Sequence, residues 1–144
     1  IVMCEQRQQV AIWRRSWKMA SGDAPILAVD DSAPIREMIT SVLRARGYQV
    51  TPAADGREAL QRLRAATEPY IVLLDIVMPL MDGIAVVSEC ERDPALKAVG
   101  HRFVLMSSTM RMSQPDVPVT VGQLAKPFTR QQLIEMVEAQ EQTF

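Results

Sequence analysis

Three short apolar runs and one mixed stretch that each break off on a polar or charged residue constrain this chain more than any other feature. Ile26-Leu27-Ala28-Val29 stops at Asp30-Asp31, and Ile71-Val72-Leu73-Leu74 stops at Asp75. Phe103-Val104-Leu105-Met106 stops at Ser107-Ser108, and the stretch from Val119 to Ala125 stops at Lys126-Pro127. Runs this short and this continuously apolar suit strands covered on both faces. A fifth strand is expected at Tyr48–Thr51. Between the strands the apolar period changes. Ile35, Ile39, Val42 and Leu43 recur at helical spacing after Ser32 and Pro34, and Gly47 ends that stretch. Asp55 stands as the cap of a helix whose Ala59, Leu60 and Leu63 face inward. A third helix is expected from about Gly83, carrying Ile84, Val87 and Cys90, to Asp93-Pro94. A last helix is expected after Thr129, with Leu133, Met136, Val137 and Gln140 on one side. Strands alternating with helices predict an α/β domain built on a doubly wound, five-stranded parallel sheet with right-handed crossovers. Open sheets of this kind form their sites at the carboxyl edge, where all four stretches deliver their polar residues.

The bulk properties exclude several function classes. A hydrophobic content of 48% and a charged content of 23% fit an ordinary globular domain. The net charge of −1 gives no electrostatic support to nucleic-acid binding by this chain. No stretch approaches the roughly 18 apolar residues that a membrane span needs. Cys4 and Cys90 form no zinc-like cluster and are expected to be reduced thiols in a cytoplasmic protein. Residues 1–24 stand apart as an N-terminal extension, with the domain expected over 25–144. Val10, Trp13 and Trp17 share a helical face there, among Arg7, Arg14, Arg15 and Lys18. The extension is expected to be an appended tail or an amphipathic helix. Such a helix would dock on the domain, on a second copy to give a homodimer, or on a partner protein.

The strand ends gather a specific chemistry. Mg²⁺ prefers hard oxygen ligands and is usually held by one or two carboxylates with phosphate oxygens. Asp30, Asp31 and Asp75 supply such carboxylates, and their mutual repulsion favours a cation. Lys126 can pair with a phosphoryl oxygen, and a hydroxyl at Ser107 can donate to another. An aspartate in this set can attack a phosphoryl group and hold it as an acyl phosphate.

With these residues in order, the chain resembles the receiver domain of bacterial two-component response regulators, of the chemotaxis-regulator kind. The resemblance covers roughly 25–143. It rests on Val29-Asp30-Asp31-Ser32 with Arg36, Ala53-Ala54-Asp55-Gly56-Arg57-Glu58-Ala59-Leu60, Leu73-Leu74-Asp75 with Met78-Pro79-Leu80-Met81-Asp82-Gly83, the Ser107-Ser108 pair, and Lys126-Pro127-Phe128. It implies a flavodoxin-like receiver fold and a signalling phosphoacceptor rather than an enzyme. By that resemblance Asp75 takes the phosphoryl group from a sensor histidine kinase or a histidine phosphotransfer protein. Asp31 ligates Mg²⁺ directly, Asp30 acts largely through water, and the Val77 carbonyl is a third protein ligand. Lys126 binds the phosphoryl group. Ser107 is the switch hydroxyl, with Ser108 the alternative; the four apolar residues before Ser107 favour it.

The departures from the family pattern carry expectations too. Receivers usually place an aromatic residue three positions before the lysine, where this chain has Gln123. Thr109–Pro118 holds Met110, Met112, Pro115 and Pro118 where a full fourth helix is usual, so a shortened or irregular connection is expected. His101, the sole histidine, is expected on a surface loop, which leaves no histidine phosphodonor within the chain. Val77 breaks the Asp-x-Asp pattern of aspartyl phosphatases. Signalling by protein–protein contact is the leading expectation. A receiver belonging to a larger DNA-binding regulator or hybrid kinase is the alternative, followed by a non-phosphorylated scaffold.

Overall fold

The computed structural model describes residues 24–108 and 121–142. The expectations for residues 1–23 and for Thr109–Pro118 lie outside the described residues. Strands β1 (Ile26–Val29), β2 (Val50–Ala53), β3 (Ile71–Asp75), β4 (Arg102–Ser107) and β5 (Gly122–Ala125) form one all-parallel sheet in the order β2-β1-β3-β4-β5. Helices α1 (Ala33–Ala45), α2 (Gly56–Ala65), α3 (Gly83–Arg92), α4 (Pro94–Val99) and α5 (Arg130–Glu141) cover it.

Alternation along the strands assigns the helices to two faces. Ile26, Ala28, Ile71, Leu73, Val104, Met106 and Leu124 point to one side and meet Ile39, Val42 and Leu43 of α1 with Leu133, Ile134 and Val137 of α5. Leu27, Val29, Val72, Leu74, Phe103 and Leu105 point to the other side. They meet Ala59, Leu60 and Leu63 of α2, Val86, Val87 and Cys90 of α3, and Leu96 of α4. β1 and β3 are buried on both faces, which is why their sequences are apolar without a break.

Two local boundaries differ from the sequence reading. β2 lies two residues later than expected, because the Tyr48 amide still donates to Leu43 O and so closes α1 (3.1 Å). Pro52 is accommodated because β2 is an edge strand and needs no second set of ladder bonds. Asp93-Pro94 ends α3 but also starts α4: Pro94 takes the first helical position, and the Asp93 side chain accepts from the Ala95 amide (3.0 Å). Gly47 (φ 94°) and Gly100 (φ 83°) end α1 and α4 in the left-handed region.

His101 is half-buried, not a free surface residue. Its Nδ1 accepts from the Tyr70 amide at 3.0 Å, tying the starts of β3 and β4 together. Burial holds the imidazole below its ordinary 6.5, with the Leu63 backbone opposing. Protonation at Nδ1 would forfeit the bond from Tyr70. The unfolded chain therefore takes up a proton below about pH 6.5 that the folded chain resists, and stability present above that pH is lost as it falls. His101→Asn keeps an acceptor for Tyr70 without a titrating group. Its melting temperature should depend less on pH between about 7 and 5 than that of the parent. Identical profiles for the two chains would contradict this role.

Candidate functional site

The sheet register places the chemistry. Val29 pairs with Leu74, so Asp30, one residue on, stands level with Asp75 at the end of β3. Asp75 pairs with Met106, and Ser107 pairs with Ala125, so Lys126 follows at the same edge. The Lys126 amide donates to Ser107 O at 2.8 Å, and the Lys126–Pro127 peptide bond is cis.

The side chains converge there. Asp30, Asp31 and Asp75 each present a carboxylate oxygen, and the three atoms lie within 4.8 Å of one another. Asp30 is fully buried and Asp75 is 7% exposed, whereas Asp31 stands in solvent. Lys126 Nζ donates to Asp30 Oδ2 at 2.7 Å and sits 3.4 Å from Asp75 Oδ1. The other oxygen of Asp30, Oδ1, accepts from the Ser32 amide at 2.9 Å, at the start of α1. Ser107 is buried as the last residue of β4, whereas Ser108 lies beyond the strand and is exposed. Hard carboxylate oxygens at this spacing, one set open to solvent, fit a divalent cation such as Mg²⁺.

The loop after Asp75 is tightly closed. The Ile76 amide donates to Met106 O (3.0 Å), and the Gly83 amide returns to Ile76 O (2.9 Å). A Cβ at Gly83 would run into the Asp75 carbonyl, so only glycine fits at that crossing. The Met81 amide donates to Pro79 O (2.8 Å) across Leu80, whose φ of 69° is left-handed. Asp82 then caps α3 by accepting from the Ala85 amide (2.8 Å). The Val77 amide donates to the Asp75 carboxylate, and the Val77 side chain is 67% exposed.

Electrostatics set Asp75 apart. Burial, reinforced by the negative charge of Asp30, pushes its carboxyl up from the ordinary 3.8 to about 6. Lys126 and the Val77 amide pull the other way without cancelling the effect. Two contacts go beyond the sequence reading: Lys126 pairs most closely with Asp30, and Arg36 Nη1 donates to the Asp30 carbonyl at 2.6 Å. The Arg36 contact has a sequence signal in its one-turn offset from Ser32 on α1, which brings a long side chain back over the β1 end.

A parallel 2-1-3-4-5 sheet with three aspartates, a lysine and a buried hydroxyl at its carboxyl edge is a doubly wound α/β domain with its polar residues gathered at the edge where such folds build their sites. The chain belongs to the response regulator receiver domain family, whose family model matches residues 26–138. It is 35% identical over 119 residues to the response regulator MprA of Mycolicibacterium vanbaalenii, covering 79% of this chain and 48% of that protein. The chain thus spans about half the length of this relative. It is 30% identical over 122 residues to protein PilG of Pseudomonas aeruginosa, covering 83% of this chain and 88% of that one. Among solved structures it resembles the response regulator TrrA of Thermotoga maritima in complex with Mg²⁺ and BeF. That match has a TM-score of 0.70 at 29% identity and covers 81% of this chain and 97% of the other. Receiver domains are signalling phosphoacceptors that bind Mg²⁺ at an acidic cluster and interact with histidine kinases or phosphotransfer proteins. Among the described residues no helix is long and apolar enough to cross a membrane.

A carboxyl whose folded-state pKa is raised is more costly to ionise in the folded chain than in the unfolded one. Stability therefore falls as pH rises from about 4 to about 6, and the deficit persists at neutral pH. Asp75→Asn should accordingly stabilise the metal-free protein by roughly 1–3 kcal/mol at about pH 7.5, with the gain vanishing near pH 4. Chemical denaturation at the two pH values measures it, and a variant no more stable than the parent at neutral pH would contradict the stated electrostatics.

Proposed function

We propose that this chain accepts a phosphoryl group on Asp75 from a histidine of a sensor kinase or phosphotransfer protein, and signals by protein–protein contact. The observation that carries the reading is the position of Asp75: it ends the central strand β3, with Lys126 at 3.4 Å and two further aspartates beside it. In the transfer, an Asp75 carboxylate oxygen forms the new O–P bond while the donor N–P bond breaks, and the electron pair leaves on the donor imidazole. Asp75 must be ionised to attack, which above about pH 6 it is. Lys126, held at rest between Asp30 and Asp75, is placed to pair with a phosphoryl oxygen. The Ser107 hydroxyl is the switch donor to another oxygen; its burial at the strand end, against the exposure of Ser108, supports the choice. Asp30, Asp31, Asp75 and the Val77 carbonyl would hold Mg²⁺, which when bound neutralises charge on the transferring group.

A second reading is supported by the half-length match to MprA: the same phosphoacceptor domain serves as the receiver of a longer regulator. A non-phosphorylated scaffold is disfavoured by the complete acid set with its lysine. A cytoplasmic location follows from the partners proposed.

Incubation with acetyl phosphate and Mg²⁺ should add one phosphoryl group by intact mass, and Asp75→Asn should not gain it. Asp31→Ala should lose Mg²⁺ affinity and labelling together. Equal labelling of Asp75→Asn, or undiminished labelling of Asp31→Ala at low Mg²⁺, would refute the assignments. Val77 presents only an apolar branched side chain to solvent two residues after Asp75 and cannot orient a hydrolytic water. Val77→Asn should therefore shorten the lifetime of the phosphorylated chain severalfold. A lifetime unchanged or lengthened would count against this.

A further inference from the structure

Gly56 is the first residue of α2 and lies against the loop that follows Asp75. A Cβ built there would lie 2.5 Å from the Met81 carbonyl oxygen, 2.9 Å from Val86 Cγ2 and 3.0 Å from Met81 Cβ. Two of these three atoms belong to the loop that begins at Ile76, and the nearest is backbone. One of the two elements must yield if a side chain is added.

The helix is the less able to yield. Its first turn is pinned at both ends: the Glu58 amide donates to Asp55 Oδ1 (2.9 Å), and Glu58 Oε2 accepts from the Ala54 amide (3.1 Å). Ala59, Leu60 and Leu63 then anchor it in the core. The loop is held less firmly at Val77 and Leu80, which are 67% and 74% exposed, with Leu80 already in a left-handed conformation. Between them Met78 is buried in the core, and the base is fixed through the Ile76–Met106 and Gly83–Ile76 hydrogen bonds and the contact of Gly83 with the Asp75 carbonyl. Pressure on Met81 is therefore transmitted along a short closed loop to that base. There the Val77 amide meets the Asp75 carboxylate.

We propose that Gly56 is a positioning residue: the backbone contact between the start of α2 and the Met81 carbonyl sets where the loop holds Val77 and Asp75. This rests on the reading of Asp75 as phosphoacceptor. Groups hydrogen-bonded to a metal's ligands, as the Val77 amide is to Asp75, carry roughly ten- to a hundredfold in metal affinity. Gly56→Ala should weaken Mg²⁺ binding to that extent in a calorimetric titration with no phosphodonor present, and should slow labelling by acetyl phosphate in step. Leu63→Ala, a core truncation on the same helix away from the loop, should lose stability while keeping Mg²⁺ affinity.

Gly56→Ala/Val86→Ala separates loop displacement from crowding. It removes the Val86 clash but leaves both Met81 contacts in place, so Mg²⁺ affinity should stay reduced. It also carries the test where the single variant folds poorly. In the parent chain, the Gly56 amide resonance should move with the Mg²⁺ titration at the same midpoint as that of Val77. The proposal is overturned if Gly56→Ala binds Mg²⁺ and takes up phosphate like the parent, if the double variant recovers both, or if the Gly56 amide does not respond. Labelling that persists in Asp75→Asn would instead overturn the phosphoacceptor reading, which the Mg²⁺ titrations do not use.

Discussion

One ammonium group between two buried carboxylates is the interaction on which the rest of this edge depends. Removing an unpaired carboxylate from water costs several kcal/mol, approximately, and two close together cost more. Lys126 Nζ lies 2.7 Å from Asp30 and 3.4 Å from Asp75, and is itself only 14% exposed. The compensation is unequal. Asp30 has the shorter ion pair and the Ser32 amide, so its two oxygens are both engaged. Asp75 has the longer contact and is pushed up to about 6. The carboxylate left least satisfied is the one on which transfer is proposed, and a site short of positive charge favours a cation.

The sheet makes this imbalance durable. Asp30, Asp75, Ser107 and Lys126 come from four different strands or strand ends, yet parallel register brings them level within a residue. Their backbones are fixed by ladders whose side chains are buried on both faces in β1 and β3. What freedom remains is in the loop after Asp75. It carries a left-handed Leu80 and is braced behind by the two glycines at which a side chain would collide with backbone, Gly56 and Gly83. Such local strain persists where surrounding structure over-determines it.

Most of this was legible in the sequence because apolar runs and their terminating residues report strand ends directly. The runs that ended on Asp30, Asp75 and Lys126 put those residues at one edge, and the helical faces of α1, α2 and α5 matched their apolar spacing. Where the reading slipped, a residue type had two local uses. Pro94 reads as a helix stop but begins α4 behind the Asp93 cap. Pro52 reads as a strand end but fits within the edge strand β2. His101 reads as a loop residue in solvent, but its side-chain Nδ1 accepts from the Tyr70 amide. Long-range pairings left no trace in the sequence: that Lys126 prefers Asp30 and that Gly56 lies against Met81 depend on distances between elements, which local pattern does not encode.

If an incompletely neutralised Asp75 makes this edge a cation site, Mg²⁺ affinity must follow its ionisation. Calorimetric titration of Mg²⁺ into the phosphate-free protein across about pH 5 to 8 reads this out. A single site per chain is expected, with an affinity that rises steeply as pH passes through about 6, where Asp75 ionises, and levels off above. An affinity that is flat across this range would contradict it.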